Sequence, residues 1–166
     1  MPENQRNTSP IPHHMNHQIK LSTLQQQSLE NLLDNHWEDE DIWHPRQILS
    51  SLKVPGTELI YLTANQKQHW DSFILGRTLG EEAEILFLFV HPNFRRQGRA
   101  RELMMFFFKS LQAKRINRCF LEVNPKNQSA INLYTKAGFS TIGTRKNYYK
   151  DGSPCWVMER NHESII

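Results

Sequence analysis

Ile85-Leu86-Phe87-Leu88-Phe89-Val90 is an unbroken apolar run. It is short and rich in aromatics, which predicts a strand over 83–91 buried on both faces. Pro92 stops it, because proline has no N–H to give to a sheet. A basic turn follows. Leu103, Phe106, Phe107 and Leu111 then recur at helical spacing, so a helix begins near Gly98 or Arg99. Met104, Met105 and Phe108 spread apolar character around much of that helix, which predicts burial on more than one side.

The same reading extends along the chain. Leu29, Leu32 and Leu33 mark one face of a helix over 24–35, with Trp37 just beyond. Pro45 opens a second short helix with Ile48, Leu49 and Leu52 on one face, and Pro55-Gly56 closes it. Stretches 57–64 and 70–77 read as strands joined by the polar turn Asn65-Gln66-Lys67-Gln68. Cys119 to Val123 is a further strand, and Ser129 to Ala137 a helix closed by Gly138. The last two strands, 139–144 and 155–160, flank a turn containing Asp151-Gly152-Ser153-Pro154. Hairpins, then strand–helix–strand–helix, then strands describe an α/β domain with a mixed sheet.

Composition narrows the class. A chain of 166 residues is one domain with room for a core. Residues 1–20 are rich in Asn, Gln, Pro and His, with little to bury, and read as a disordered polar tail before a single domain over 21–166. His13, His14 and His17 lack a second cluster of ligands, so they read as part of that tail and not as a metal site. Net charge is +3, which permits anionic ligands or a ribosomal surface without indicating nucleic-acid binding. The acidic run Glu38-Asp39-Glu40-Asp41 reads as a solvated loop, or else as an attractor for a basic peptide. Neither a secretory signal nor a membrane-length apolar run is visible, so the cytoplasm is expected. Cys119 and Cys155 then stay reduced and read as small buried hydrophobes.

Chemistry concentrates at the turn Arg95-Arg96-Gln97-Gly98-Arg99-Ala100-Arg101. Free N–H groups point out of a helix start, and the macrodipole adds partial positive charge there. Gly98 has no Cβ, so an anion can approach the backbone. Four arginines add full charges, and the whole suits a pyrophosphate. Neither GxxxxGK[ST] nor GxGxxG is present at the turn. The other reading is a solvated basic turn that caps a helix.

This stretch resembles the acetyl-CoA signature [QR]-x-x-G-x-[GA] of the GNAT acetyltransferases, matched by Arg95, Gly98 and Ala100. Asn127, Ala130, Leu133-Tyr134 and Gly138-Phe139 resemble the second family pattern, N-x-x-A-x-x-L-Y-x-x-x-G-F. Arg145-Lys146-Asn147-Tyr148-Tyr149 is similar to the R-x-x-Y-Y stretch of one subgroup, the bacterial ribosomal-protein-alanine N-acetyltransferases. Together these cover about residues 57 to 160. The resemblance implies a GNAT fold: a mixed, mostly antiparallel sheet flanked by helices, with parallel strands 83–91 and 117–123 splayed to admit the cofactor. It implies acetyl transfer from acetyl-CoA, without a metal, to a protein N-terminal α-amine, a ribosomal protein's in that subgroup, by direct attack in a ternary complex. In that scheme Glu122 is the base and Tyr134 the acid. The backbone of Leu88, Phe89 and Val90 holds the pantetheine and acetyl carbonyl. Arg95 to Arg101 hold the pyrophosphate, and the Asn127 side chain contacts CoA.

Physical reading of the residues leaves alternatives open. Glu122 stands in an otherwise apolar strand, where an ionisable group is unusual. It is a candidate general base, or a paired structural carboxylate. Tyr134 is a proton donor or a core ring. His91 is a rival base or an exposed strand end. The acceptor is an N-terminus, or a lysine or small-molecule amine; a non-catalytic ribosome- or RNA-binding module is the reading from another class. RNA binding calls for aromatics interleaved with basic residues, whereas here the arginines gather at one helix start. Asn124, Phe87, Phe89 and Pro154-Cys155 depart from the subgroup's pattern and bear on the choice of acceptor.

Overall fold

The computed structural model describes residues 14–18, 23–34, 45–63 and 70–161. In chain order the elements are β1 (His14–Gln18), α1 (Thr23–Asp34), α2 (Pro45–Ser51), β2 (Thr57–Thr63), β3 (Trp70–Leu79) and β4 (Glu82–Val90). A 3-10 turn (Pro92–Phe94) follows, then α3 (Arg99–Ala113), β5 (Arg118–Val123), α4 (Gln128–Lys136), β6 (Ser140–Arg145) and β7 (Cys155–Asn161). The strands form one sheet in the order β1-β2-β3-β4-β5-β7-β6. Among the described residues only the β4–β5 pairing is parallel. The expected mixed, mostly antiparallel α/β architecture is therefore what the chain forms.

Strand alternation splits the core into two layers. On one face Ile60, Leu62, Ile74, Ala83, Ile85, Cys119, Leu121 and Val123 join Leu103, Met104, Phe107 and Leu111 of α3 and Ile131 and Tyr134 of α4. On the other, Leu59, Tyr61, Phe73, Leu75 and Phe89 join Leu29, Leu32 and Leu33 of α1 and Ile48 of α2. Gly76 shows how tightly α3 sits on the sheet. A Cβ there would lie 2.2 Å from the Phe107 ring. A side chain at that position has to displace the ring or the helix.

Two expectations need correction. Residues 14–18 are not part of a disordered tail: they form β1, antiparallel to β2 from His14↔Thr63 to Gln18↔Leu59. Ladder bonds use backbone groups, which polar residues carry as well as apolar ones, so no apolar alternation announces the strand. The rest of 1–20, Trp37, the run 38–41 and the turn 65–68 lie outside the described residues. Strand β4 is also not buried throughout, since Leu86, Phe87, Leu88 and Val90 are only half-buried. Its register on β3 slips between Leu75↔Phe87 and Gly76↔Ile85, which leaves Leu86 as an extra residue. That bulge switches the phase of the strand. Ala83 and Ile85 face α3, whereas Phe87 and Phe89 face α1 and α2.

The slip coincides with the opening that positions the site. Strands β4 and β5 pair only from Glu82↔Arg118 to Ile85↔Leu121. Beyond that, β4 stays on β3 through Val90↔Ser72, and β5 stays on β7 through Val123↔Trp156. The two parallel strands have parted. Among the described residues, no strand pairs with the β5-facing edge of residues 86–90.

Candidate active site

The opening lies next to the basic turn. His91 follows β4 and accepts a hydrogen bond at Nδ1 from the Asn93 N–H at 3.2 Å, which caps the 3-10 turn. That bond gives His91 a local structural role. Gln97 donates through Nε2 to the Asn93 carbonyl at 3.0 Å, and Arg95 donates through Nε to the Val90 carbonyl at 3.1 Å. Both side chains brace the turn. Gly98 is the N-cap of α3 at φ +81° and has no side chain with which to cap the helix. A left-handed N-cap suits glycine, and the first N–H groups of a helix have no partner within the helix itself. Arg96, Gly98 and Arg101 are exposed, and Ala100 is half-buried in the first turn of α3. A basic helix start beside an open strand edge fits an anionic cofactor with a long, amide-bearing arm.

The Arg99 side chain, expected among the cofactor's cations, is buried in an ion pair. It is 3% exposed, 3.4 Å from Asp71 Oδ2, with its guanidinium over the Phe94 ring. Burial drives the pairing, because a buried guanidinium needs a counter-charge. Asn127 has a local structural role as well. Its side-chain oxygen accepts from the Ala130 N–H at 3.0 Å and caps α4. The asparagine therefore sets where the Tyr134 helix begins.

Glu122 and Tyr134 lie on opposite faces around β5. Leu121 and Val123 point into the cluster that holds Tyr134, so Glu122 between them points to the other face. Arg145 reaches Glu122 from β6, Nε to Oε1 3.0 Å, and the Tyr148 side chain also hydrogen-bonds to Glu122. That bond, with burial, raises the Tyr148 phenol above its ordinary range. Arg145 and Tyr148 were missed as site residues, although the Arg145–Tyr149 motif had marked the segment. Tyr134 is buried edge-on against Phe139, ring centroids 6.0 Å apart, and burial pushes its phenol up to about 12. It therefore stays protonated near neutral pH, as a hydrogen-bond donor must.

The cysteines are buried and free. Burial pushes the Cys119 thiol up to about 12 and raises Cys155 as well, with the Glu122 charge adding to the second. Neither is a thiolate near neutral pH, so neither is an activated nucleophile. Rapid quenching during turnover, followed by mass spectrometry, is expected to find no acetyl-cysteine. A trapped acetyl group on either residue would replace direct attack with a two-step route.

Comparison with known proteins bears on the family and the fold. The model of the acetyltransferase (GNAT) family matches residues 23–139. A [ribosomal protein bS18]-alanine N-acetyltransferase of Haemophilus ducreyi is 37% identical over 104 residues, which is 61% of this chain and 72% of that one. Its Escherichia coli counterpart is 33% identical over 88 residues, 53% of this chain and 58% of the relative. Among solved structures, the ribosomal-protein-S18-alanine N-acetyltransferase from Escherichia coli superposes with a TM-score of 0.76 at 23% identity, covering 93% of this chain and 99% of that one. At that identity the superposition speaks for the fold.

Proposed function

The chain belongs to the acetyltransferase (GNAT) family, and we propose that it moves acetyl from acetyl-CoA to the α-amine of a protein N-terminus, a ribosomal protein's by likeness to its relatives. The observation that carries this reading is the parting of β4 and β5 past Ile85 and Leu121, with a carboxylate on one side and a phenol on the other. Transfer from a thioester to an amine needs that polarity. The amine must lose a proton on the side from which it attacks, and sulfur must be stabilised on the side from which it leaves. Glu122 takes the proton, directly or through water. The phenol of Tyr134 donates to sulfur as negative charge develops there. The open edge over Leu88, Phe89 and Val90 aligns the pantetheine and acetyl carbonyl. The exposed Arg96 and Arg101, with the first N–H groups of α3, hold the pyrophosphate. We place the reaction in the cytoplasm, where free thiols such as Cys119 and Cys155 stay reduced.

Glu122→Gln tests the base and the acceptor together. Without the carboxylate, the rate follows the neutral fraction of the acceptor amine. A peptide α-amine titrates at about 7.7 to 8.0 and a lysine at about 10.4. The deficit against wild type is expected to be largest at low pH and to narrow as pH rises through about 8. Recovery only near the lysine pKa would move the acceptor to a side chain. An unchanged rate at all pH values would return Glu122 to a structural ion pair with Arg145.

A further inference from the structure

We propose that Asp71 is a positioning residue for the cofactor turn, acting through its buried pair with Arg99; this rests on the reading that the turn binds acetyl-CoA. Asp71 belongs to β3 and is 2% exposed. Its carbonyl accepts the His91 N–H at 2.8 Å, which ties β3 to the residue that begins the turn. Its carboxylate accepts from Ser72 Oγ at 2.7 Å through Oδ1 and faces the Arg99 guanidinium at 3.4 Å through Oδ2. Arg99 is the first residue of α3, just past Gly98. One residue therefore grips both ends of the segment that carries Arg95, Arg96, Gln97 and Gly98. Phe94, in the middle, packs edge-on against His91 at 5.7 Å between ring centroids and lies 5.4 Å beneath the Arg99 guanidinium.

The arrangement has an electrostatic oddity that supports the assignment. A cation at the first position of a helix opposes the macrodipole, and burying it adds a desolvation cost. An apolar residue in this pocket would avoid both. The pair instead sets a charge contact between a rigid strand and the helix start, guanidinium to Oδ2 3.4 Å. That tie fixes where the first N–H groups of α3 point, and an anion site depends on such fixed donors.

Asp71→Asn separates this role from simple charge, because the two predict opposite signs. Removing a negative charge beside an anion site strengthens cofactor binding by Coulomb attraction alone. Losing the tie weakens it. Calorimetric titration of the full chain with CoA is expected to show a dissociation constant raised about tenfold, with stoichiometry kept near one. Steady-state kinetics is expected to show the matching rise in KM for acetyl-CoA, with kcat and the acceptor KM little changed. Equal or tighter CoA binding by the folded variant would overturn the proposal. So would a lower stoichiometry at an unchanged dissociation constant, since that marks mere support of the fold. Should Asp71→Asn fail to fold, Arg99→Lys carries the test: it keeps the charge but loses the planar fork, and weaker CoA binding at full stoichiometry is again expected. Unchanged CoA binding by Arg99→Lys would overturn the proposal. Gly98→Asp measured alongside distinguishes the underlying reading. If that variant binds CoA as wild type does, the cofactor lies elsewhere and the positioning role falls with it. If Gly98→Asp loses CoA and Asp71→Asn does not, only the positioning role is wrong.

Discussion

Tyr134→Phe is expected to lower turnover by roughly 10² to 10⁴, the span typical of a lost acid–base partner, while leaving the fold intact. The ring keeps its place among Leu121, Val123, Ile131 and Phe139, and only the hydroxyl goes. Burial holds that phenol at about 12, so it is protonated at every pH where the protein would be assayed. An acid this weak does not surrender its proton early. It donates a hydrogen bond that strengthens as the thiolate forms, and such an interaction acts on kcat more than on KM. The check is a pair of numbers: kcat with saturating acetyl-CoA, and the thermal midpoint. A collapse in kcat with an unmoved midpoint supports the role. Near-normal turnover reassigns Tyr134 to packing.

Gly98→Asp is expected to cost about a hundredfold or more in CoA affinity. A carboxylate about 4 Å from a phosphate charge costs on the order of 4 kcal/mol at an effective dielectric of about 20, and salt reduces that. The substitution has room, since a Cβ at Gly98 meets no atom within 4 Å. The residue sits at φ +81°, where Asp and Asn are the best-tolerated side chains after glycine. The protein should therefore fold. Gly98→Asn serves as the control, with nearly the same shape and no charge, and its loss should be much smaller. Calorimetry on both variants reads the difference. Unchanged CoA affinity in a folded Gly98→Asp protein removes the pyrophosphate from the α3 start.

The order of elements was legible because long-range burial leaves a local trace. The run Ile85–Val90, the spacing of Leu103, Phe107 and Leu111, and Pro92 between them placed β4, the turn and α3 to within a residue or two. The parting of β4 and β5 followed only from resemblance, since nothing in either strand's own pattern says where pairing stops. The Leu86 bulge was hidden for a related reason. Inside an unbroken apolar run, a change of phase leaves no polar residue out of place. Arg99 and Arg145 show a second limit. In the sequence both are simply cations, and their partners Asp71 and Glu122 lie on other strands. Charge can be counted along a chain, but the direction of a side chain is set by the elements around it. Strand β1 shows a third: its bonds are those of the backbone, which every polar tail carries.

The central claim is that the acceptor is an N-terminal α-amine. Near neutral pH such an amine, at about 7.7 to 8.0, is already partly neutral, and one carboxylate completes the deprotonation. A lysine at about 10.4 needs roughly 2.5 further pKa units, or about 3.4 kcal/mol, from desolvation or a stronger base. Glu122 is held in place by Arg145, Nε to Oε1 3.0 Å. The most direct measurement offers the protein acetyl-CoA and two versions of one short peptide, one with a free N-terminus and no lysine, the other with a blocked N-terminus and an internal lysine. Products are read by mass spectrometry. Acetylation of the free N-terminus, with the blocked peptide left untouched, is the predicted result. Efficient acetylation of the lysine in the blocked peptide would contradict it.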